Sequence, residues 1–183
     1  LNGKARFMIA NTLAATLAGY LYGFKTDDIK IPLTTFIPGA VQTPGRMNIF
    51  DFKEYKVMID FAHNADGFRG IKEFLTTIES TSKIGIITGT GDRRDDDIRD
   101  MGRISAEMFD HIIIRQDKFL RGRQAEEIVK LLVEGIHQVD PKKSYEYVPK
   151  EIEALNHAFS IAKPGSFIVA LSDVIDNAIE VVH

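Results

Sequence analysis

Six short apolar runs alternate with segments of helical period after Arg46, and no other feature limits the fold as strongly. The runs are Met47–Phe52, Lys56–Ala62, Lys83–Gly89, His111–Arg115, Tyr145–Val148 and Ser166–Leu171. Between them, Phe68, Ile71, Phe74 and Ile78 recur on one helical face, as do Ile98, Met101, Ile104 and Met108. The same spacing returns at Ile128, Leu131, Leu132 and Ile136, and at Ile152, Leu155 and Phe159. Alternation of this kind predicts crossover units, which build a mainly parallel sheet covered by helices on both faces. Each crossover is expected to be right-handed.

Residues 1–40 follow a different pattern. Met8 to Leu21 is an Ala/Leu-rich helical stretch whose Asn11, Ala14, Ala15 and Ala18 suit close helix packing. A second helix is expected from Thr26, an N-cap candidate followed by Asp27 and Asp28, to about Phe36. Two helices cannot enclose a core, so they must pack on the following domain or on something beyond this chain. The stretch from Ile37-Pro38-Gly39-Ala40 to Pro44-Gly45 is the expected hinge, dividing residues 1–43 from 44–183. The chain begins at Leu1 and reads as a piece of a longer protein. The expected fold is α/β: a Rossmann-like, mainly parallel six-stranded sheet with helices on both faces, plus an N-terminal helical appendage.

Composition narrows the functional classes. A net charge of -3 gives no reason to expect nucleic acid or an anionic membrane as partner. The absence of cysteine excludes disulfides, thiolate metal sites and thiol catalysis, and fits a reducing, cytoplasmic compartment. No apolar run approaches the ~18–20 residues of a membrane helix, and no signal peptide is visible. Homo-oligomerisation is left open.

The chemistry-bearing residues gather after the strand candidates, where open α/β sheets bind ligands. Asp60-Phe61-Ala62-His63-Asn64 offers a carboxylate for ribose hydroxyls, with His63 or Asn64 for a base or phosphate; the alternative is a polar turn in which Asn64 or Asp66 caps the next helix. Gly89-Thr90-Gly91 could bring backbone amides near a phosphate, and Asp92, Arg93 and Arg94 follow. This is not the dinucleotide fingerprint, since Arg94 stands where the third glycine belongs, and no Walker lysine follows. Asp95-Asp96-Asp97 favours a helix dipole over a metal, because adjacent helical residues do not face one another. Arg115 to Arg123, RQDKFLRGR, suits a carboxylate or phosphate through forked guanidinium bonds. Arg46 at the hinge can reach a ligand held between domains. His111, His137 and His157 are isolated and read as structural.

Together these segments resemble the C-terminal domain of the Mur ligase family, on its cyanophycin synthetase branch. The resemblance rests on PGR at 44–46, DFAHN at 60–64, GDRRDDDI at 91–98 and LRGR at 120–123, and it spans nearly the whole chain. It implies an ATP-dependent amide ligase that phosphorylates a carboxylate and lets an amine attack the acyl phosphate. On that branch, arginine is added to the aspartate side chains of a poly-aspartate backbone. The resemblance implies ATP contacts from Arg46, Asp60, His63 and Asn64 on domain closure, with Asp60 toward the ribose. It implies substrate contacts from Asp92, Arg93, Arg94, Asp117, Arg121 and Arg123, the Asp117–Arg123 loop selecting the incoming amino acid. Residues 1–43 resemble the closing helices of the family's central ATPase domain. The P-loop, the catalytic lysine and the Mg2+ ligands belong to that domain and are absent here, so no catalytic residue and no metal ligand is expected in this chain, which would be inactive alone. Two departures stand out. Ala65 replaces the usual proline, and Phe167 to Asp173 replaces the glycine-rich lysine and histidine motif of the peptidoglycan enzymes. The competing readings are a stand-alone nucleotide- or anion-binding module without catalysis, a folylpolyglutamate synthase-like ligase and a dinucleotide oxidoreductase, the last disfavoured by the broken fingerprint.

Overall fold

The structure, a computed structural model, describes residues 3–182. The apolar runs become a six-stranded sheet of β1 (Asn48–Asp51), β2 (Tyr55–Asp60), β3 (Ser82–Ile87), β4 (His111–Ile114), β5 (Glu146–Tyr147) and β6 (Ser166–Leu171). Their spatial order is β1-β2-β6-β3-β4-β5. β1 pairs antiparallel with β2 as a hairpin, and every other neighbouring pair is parallel. Helices α3 (Ala65–Leu75), α4 (Asp95–Met108) and α5 (Ala125–Val139) carry the chain from β2 through β3 and β4 to β5. Helix α6 (Glu151–Ile161) brings it back, inserting β6 between β2 and β3, and α7 (Ile175–Val182) follows.

Side-chain alternation along the strands divides the core in two. Met58, Ile87 and Val169 join Phe68, Phe74, Met101 and Leu132 under α3, α4 and α5. Val57, Ile59, Ile84 and Ile168 join Ala154, Leu155, Ala158 and Ala178 under α6 and α7. Reversing direction across the sheet while changing face is what right-handed crossovers demand. All six residues of β6 are buried, which is why this strand reads as an unbroken apolar run and not as an alternating one.

Several local expectations are corrected. β5 shrinks to two residues, being an edge strand with β4 as its sole partner. On α6, Ile152 is 37% exposed, and the buried stripe is Ala154, Leu155 and Ala158. Small residues let that helix lie close on the sheet, while Phe159 stacks on Tyr55 at the rim, 6.0 Å between centroids. Ile78 falls beyond the end of α3 yet still packs on the core. Helix α7 has no counterpart among the expectations, because eight residues display barely two turns of periodicity. Thr26 is the first residue of α2, and Lys25 takes the cap position without a side-chain bond.

Helices α1 (Arg6–Leu21) and α2 (Thr26–Thr35) form where the pattern places them, but neither contains a buried residue. Only the base of α1 docks. Ala5 is buried, the Phe7 ring lies over Gly70, Arg6 meets Glu73 at 3.5 Å, and Lys4 Nζ donates to Thr77 O at 3.1 Å. Leu13, Leu17, Tyr20 and Leu21 stay in water, Leu21 at 75% exposure. Among the described residues no helix is long and apolar enough to cross a membrane.

Helices α4 and α5 approach through glycine. A Cβ on Gly102 would lie 2.1 Å from the Leu132 carbonyl oxygen, and one on Gly135 would lie 1.9 Å from that of Arg99. Backbone cannot yield as a side-chain tip can, so the two helices would have to separate. Gly135→Ala is expected to lower unfolding free energy by about 1–3 kcal/mol through overpacking. Gly39→Ala, whose Cβ meets nothing within 4 Å, should stay within about 0.5 kcal/mol of the parent. Urea denaturation of the pair checks both.

Candidate functional site

The parallel strands deliver Phe61, Ser172, Thr88 and Arg115 to one edge, directly after β2, β6, β3 and β4. The ladder continues a residue into this edge: Ser172 N donates to Asp60 O and Arg115 N to Ile87 O, both at 2.9 Å. The crevice lies where the strand order reverses around β6, as the physics of open sheets leads one to expect. It comprises two adjoining cavities. One, of about 140 Å³, is lined by Phe61, His63, Thr90, Arg121 and Ser172 among others. The second, of about 450 Å³, lies between the Arg115–Lys118 segment, the start of α6 and the loop leading into α7. Arg115, Asp117 and Asp173 border both.

Asp60 is 6% exposed and works within the protein. Its Oδ2 accepts from Met47 N at 2.8 Å and its Oδ1 from Ala62 N at 2.7 Å. It thereby holds the Pro44–Met47 turn to the end of β2. Asn48 Oδ1 adds a bond from Gly45 N at 2.6 Å. Gly45 has φ +69°, and a Cβ there would lie 2.5 Å from Ile175 of α7, so both backbone and packing require glycine. Burial raises the Asp60 pKa above its usual value, against the pull of the two amides, Arg46 and His63.

The turn presents Arg46 to solvent. Its guanidinium lies over the Phe61 ring, 5.4 Å from the centroid, and among the described residues it forms no ion pair. The His63 ring tilts against Phe61, 5.1 Å between centroids, with Nδ1 3.1 Å from Phe61 O. Asn64 caps α3: its Oδ1 accepts from Gly67 N at 2.8 Å. Of the four expected nucleotide residues, then, Arg46 is exposed and His63 borders the smaller cavity, while Asp60 and the Asn64 side-chain carbonyl are already engaged.

The two basic loops are fastened to each other. Arg121 meets Asp92 at 2.6 Å. Arg123 donates to Gly91 O and Arg93 O at 3.0 Å and pairs with Asp95 at 2.7 Å and Glu127 at 3.1 Å. The glycines of this segment serve that packing, since a Cβ on Gly91 would lie 2.0 Å from Leu120 O. Arg94 turns to solvent and pairs with Asp97 at the start of α4. Arg93 is half-buried, with its Nε lacking a partner. Among the six expected substrate residues, only Asp117 and Arg121 line the crevice; Arg123 is a staple between loops.

Sequence reasoning counted Arg115 among the anion-binding cations of its loop, whereas the structure makes it a buried structural group. Arg115 is 2% exposed, donates through Nε and Nη2 to Leu171 O at 3.2 and 2.8 Å, and meets Asp173 at 2.5 Å. Asp173 Oδ2 accepts from Lys118 N at 3.0 Å. Burial opposes its charge, but Arg115 and that amide prevail and hold its pKa below the usual range. Asp117, 3% exposed, accepts from Phe119 N through Oδ1, while its Oδ2 has no partner. Burial raises its pKa, and so does the neighbouring Asp173. Glu151 is raised by burial against the pull of Arg115 and the Ser172 hydroxyl, and its Oε1 is likewise unpartnered. The sequence signal was there for Arg115 and Asp173, each following an apolar strand; nothing marked Glu151.

The chain matches the "Mur ligase, glutamate ligase domain" family over residues 45–173 and belongs to that family. It is 38% identical to a cyanophycin synthetase of Geminocystis herdmanii over 183 residues, all of this chain and 21% of the relative. It is 29% identical to the UDP-N-acetylmuramoyl-L-alanyl-D-glutamate--2,6-diaminopimelate ligase of Bacillus cereus over 168 residues, 90% of this chain and 32% of that protein. The chain thus spans about a fifth of the length of the cyanophycin synthetases it matches. An E. coli FolC complex with DHPP and ADP superposes with a TM-score of 0.71 at 19% identity, covering 94% of this chain and 38% of that one. MurF from Acinetobacter baumannii gives 0.66 at 17% identity, covering 97% and 38%. At such identities the likeness is one of fold.

Asp60 binds its proton more tightly folded than unfolded. Its contribution to stability is therefore fully present below the unfolded carboxylate pKa of about 4 and declines as pH rises through the raised folded value. The stability difference between the parent and Asp60→Ala is expected to shrink with rising pH across that window. Urea titrations at several pH values measure it. A difference that grows with pH would show Asp60 to be a stabilised anion instead.

Proposed function

We propose that this chain is the closing domain of an ATP-dependent amide ligase and works only against a central ATPase domain. In this reading residues 1–43 are the last helices of the central domain, and residues 44–183 swing on the 37–45 hinge. The observation that carries it is Arg46: a cation held on Phe61 at the hinge, exposed, and forming no ion pair among the described residues. The apolar, water-exposed faces of α1 and α2 support it, since two helices with no buried residue call for a further packing surface. Family membership and the cyanophycin synthetase relatives support a ligase of that type, joining an amino acid to a side-chain carboxylate.

The chemistry expected of such a ligase runs in two steps. A carboxylate oxygen takes the γ-phosphoryl group of ATP and releases ADP. The amine of the incoming amino acid then attacks the acyl phosphate, forming the amide and expelling phosphate. ATP supplies the activating phosphoryl group. On the resemblance, Mg2+ would be held by the central domain, and no step here runs through it. This chain's own part is to bring Arg46 against the nucleotide, with His63 beside it, and to present the amine from the Asp117–Arg121 side. Asp60 acts behind Arg46 by fixing its turn. Closure would also exclude water from the acyl phosphate, as lids do. The acceptor is an aspartate-rich polymer and the added amino acid arginine, on the pattern of the relatives.

Calorimetric titration of the chain with ATP and ADP tests this. The expected result is weak binding, on the order of 1 mM, lost in Arg46→Ala with unfolding unchanged. Tight nucleotide binding by the chain alone would overturn the closing-domain reading in favour of a self-sufficient binding module.

A further inference from the structure

The sheet has two edges, and they are finished differently. β1 lies at the hinge edge, while β5 ends the sheet on the far side with β4 as its sole partner. Val148 N donates to Ile114 O at 2.9 Å, so alternation turns the main-chain N–H and C=O of Tyr147 toward the open side. Tyr145 and Tyr147, 37% and 40% exposed, join Val129, Val133 and His137 of α5 in lining an open groove of about 540 Å³. The His137 ring tilts on Tyr145, 6.0 Å between centroids, so helix and strand present one surface. The charges distinguish this surface from its neighbour. Across α3 and α4, cations and carboxylates satisfy one another: Arg69 with Asp66 and Asp100, Lys72 with Glu107, Arg103 with Asp100. Beside the groove, Glu126 and Lys130 form no ion pair among the described residues, although they stand four apart on one helix.

We propose that the α5–β5 face is a self-complementary interface between two copies of this chain, joining their six-stranded sheets edge to edge. Along α5 the groove-side charges run Glu126, Lys130, Glu134, His137. In reverse order, base stands where acid stood. An antiparallel copy of the helix therefore sets Glu126 against His137 and Lys130 against Glu134, and the symmetry makes each contact twice. A twofold axis perpendicular to the sheet, beside β5, brings α5 against its copy in that direction. The same rotation lays the open edges antiparallel, with Tyr145 of one copy opposite Tyr147 of the other. One operation thus covers the groove, closes the edge and pairs the charges. Another segment of a longer protein would need neither the reversed charge order nor a matching strand edge. Glu134 also pairs with Arg99 at 2.8 Å, which holds its carboxylate in place. Glu146 would meet its own copy at the axis, and His157 Nε2 at 2.7 Å draws it aside. A two-residue strand adds few bonds, so the helices carry most of the contact. The face lies at the opposite edge of the sheet from Arg46 and shares no residue with either cavity of the crevice. Pairing leaves the closing movement free and stands apart from the ligase reading.

Sedimentation velocity of the chain over a range of concentrations tests the interface. The parent should form a dimer. Lys130→Glu and Glu134→Lys, each checked for an unchanged fold by circular dichroism, should each weaken dimerisation at least about tenfold, because each sets like charges together twice. Mixed in equal amounts, the two variants should re-form the dimer, since every contact between unlike copies again joins a cation and a carboxylate. A variant that merely destabilises its own fold is not rescued by such mixing. Leu17→Ser, on the exposed face of α1, should leave the dimer intact. A parent that stays monomeric at about 1 mM, single variants that dimerise as the parent does, a mixture that fails to re-form the dimer, or association abolished by Leu17→Ser would each overturn the proposal.

Discussion

The crevice depends on Arg115 being buried. Its guanidinium reaches from the end of β4 past the intervening β3 to β6, bonded to the last carbonyl of β6 and paired with Asp173 two residues further on. Desolvating an arginine is expensive, and the expense is offset only where its donors are filled with good geometry. Here the filling groups are the strand end itself and the loop that leads into α7. The pair therefore fixes where the chain goes after β6, and through the Lys118 amide it fixes where the chain goes after β4 as well. Removing Arg115 would strand Asp173 and release both walls of the cavity together.

A second constraint works at the hinge. Asp60 and Asn48 hold the Pro44–Met47 turn by two backbone amide bonds, a third from Ala62 N fixes Asp60 itself, and Gly45 lets Ile175 of α7 press against the turn. The backbone on either side of Arg46 is thereby bonded to the sheet, while its side chain stays exposed. A group meant to meet a ligand held by another body benefits from that arrangement, because little order remains to be imposed when it docks. The same logic explains why an aspartate that the sequence suggests for ribose contact is instead nearly buried. Its work is done one layer behind the surface, on the turn.

The loops after β3 and β4 form a single unit. Arg123 reaches two carbonyls and two carboxylates, and Gly91 admits Leu120 to backbone contact. This unit leaves Arg121 and Asp117 on the crevice side and Arg94 in solvent. Four arginines that look alike in sequence thus take four roles: rim cation, loop staple, helix-end partner and, at Arg115, buried keystone.

The sequence by itself determined the fold class, the position of every strand within a few residues, and the edge at which the candidate residues lie. Hydrophobic period and strand-to-helix punctuation are local signals, and parallel strands necessarily deliver their carboxyl ends to one side. It also carried the family, because PGR, DFAHN, GDRRDDDI and LRGR survive as contiguous strings. Only the tertiary structure decided what each charged side chain does. Whether an arginine is a staple or a contact depends on which carbonyls and carboxylates lie within about 3 Å, and several of those come from segments 30 to 56 residues away. Glu151 shows the limit most plainly: in sequence it is an ordinary acid at a helix start, and only the return of α6 across the sheet sets it beside Asp117 with an oxygen unpaired.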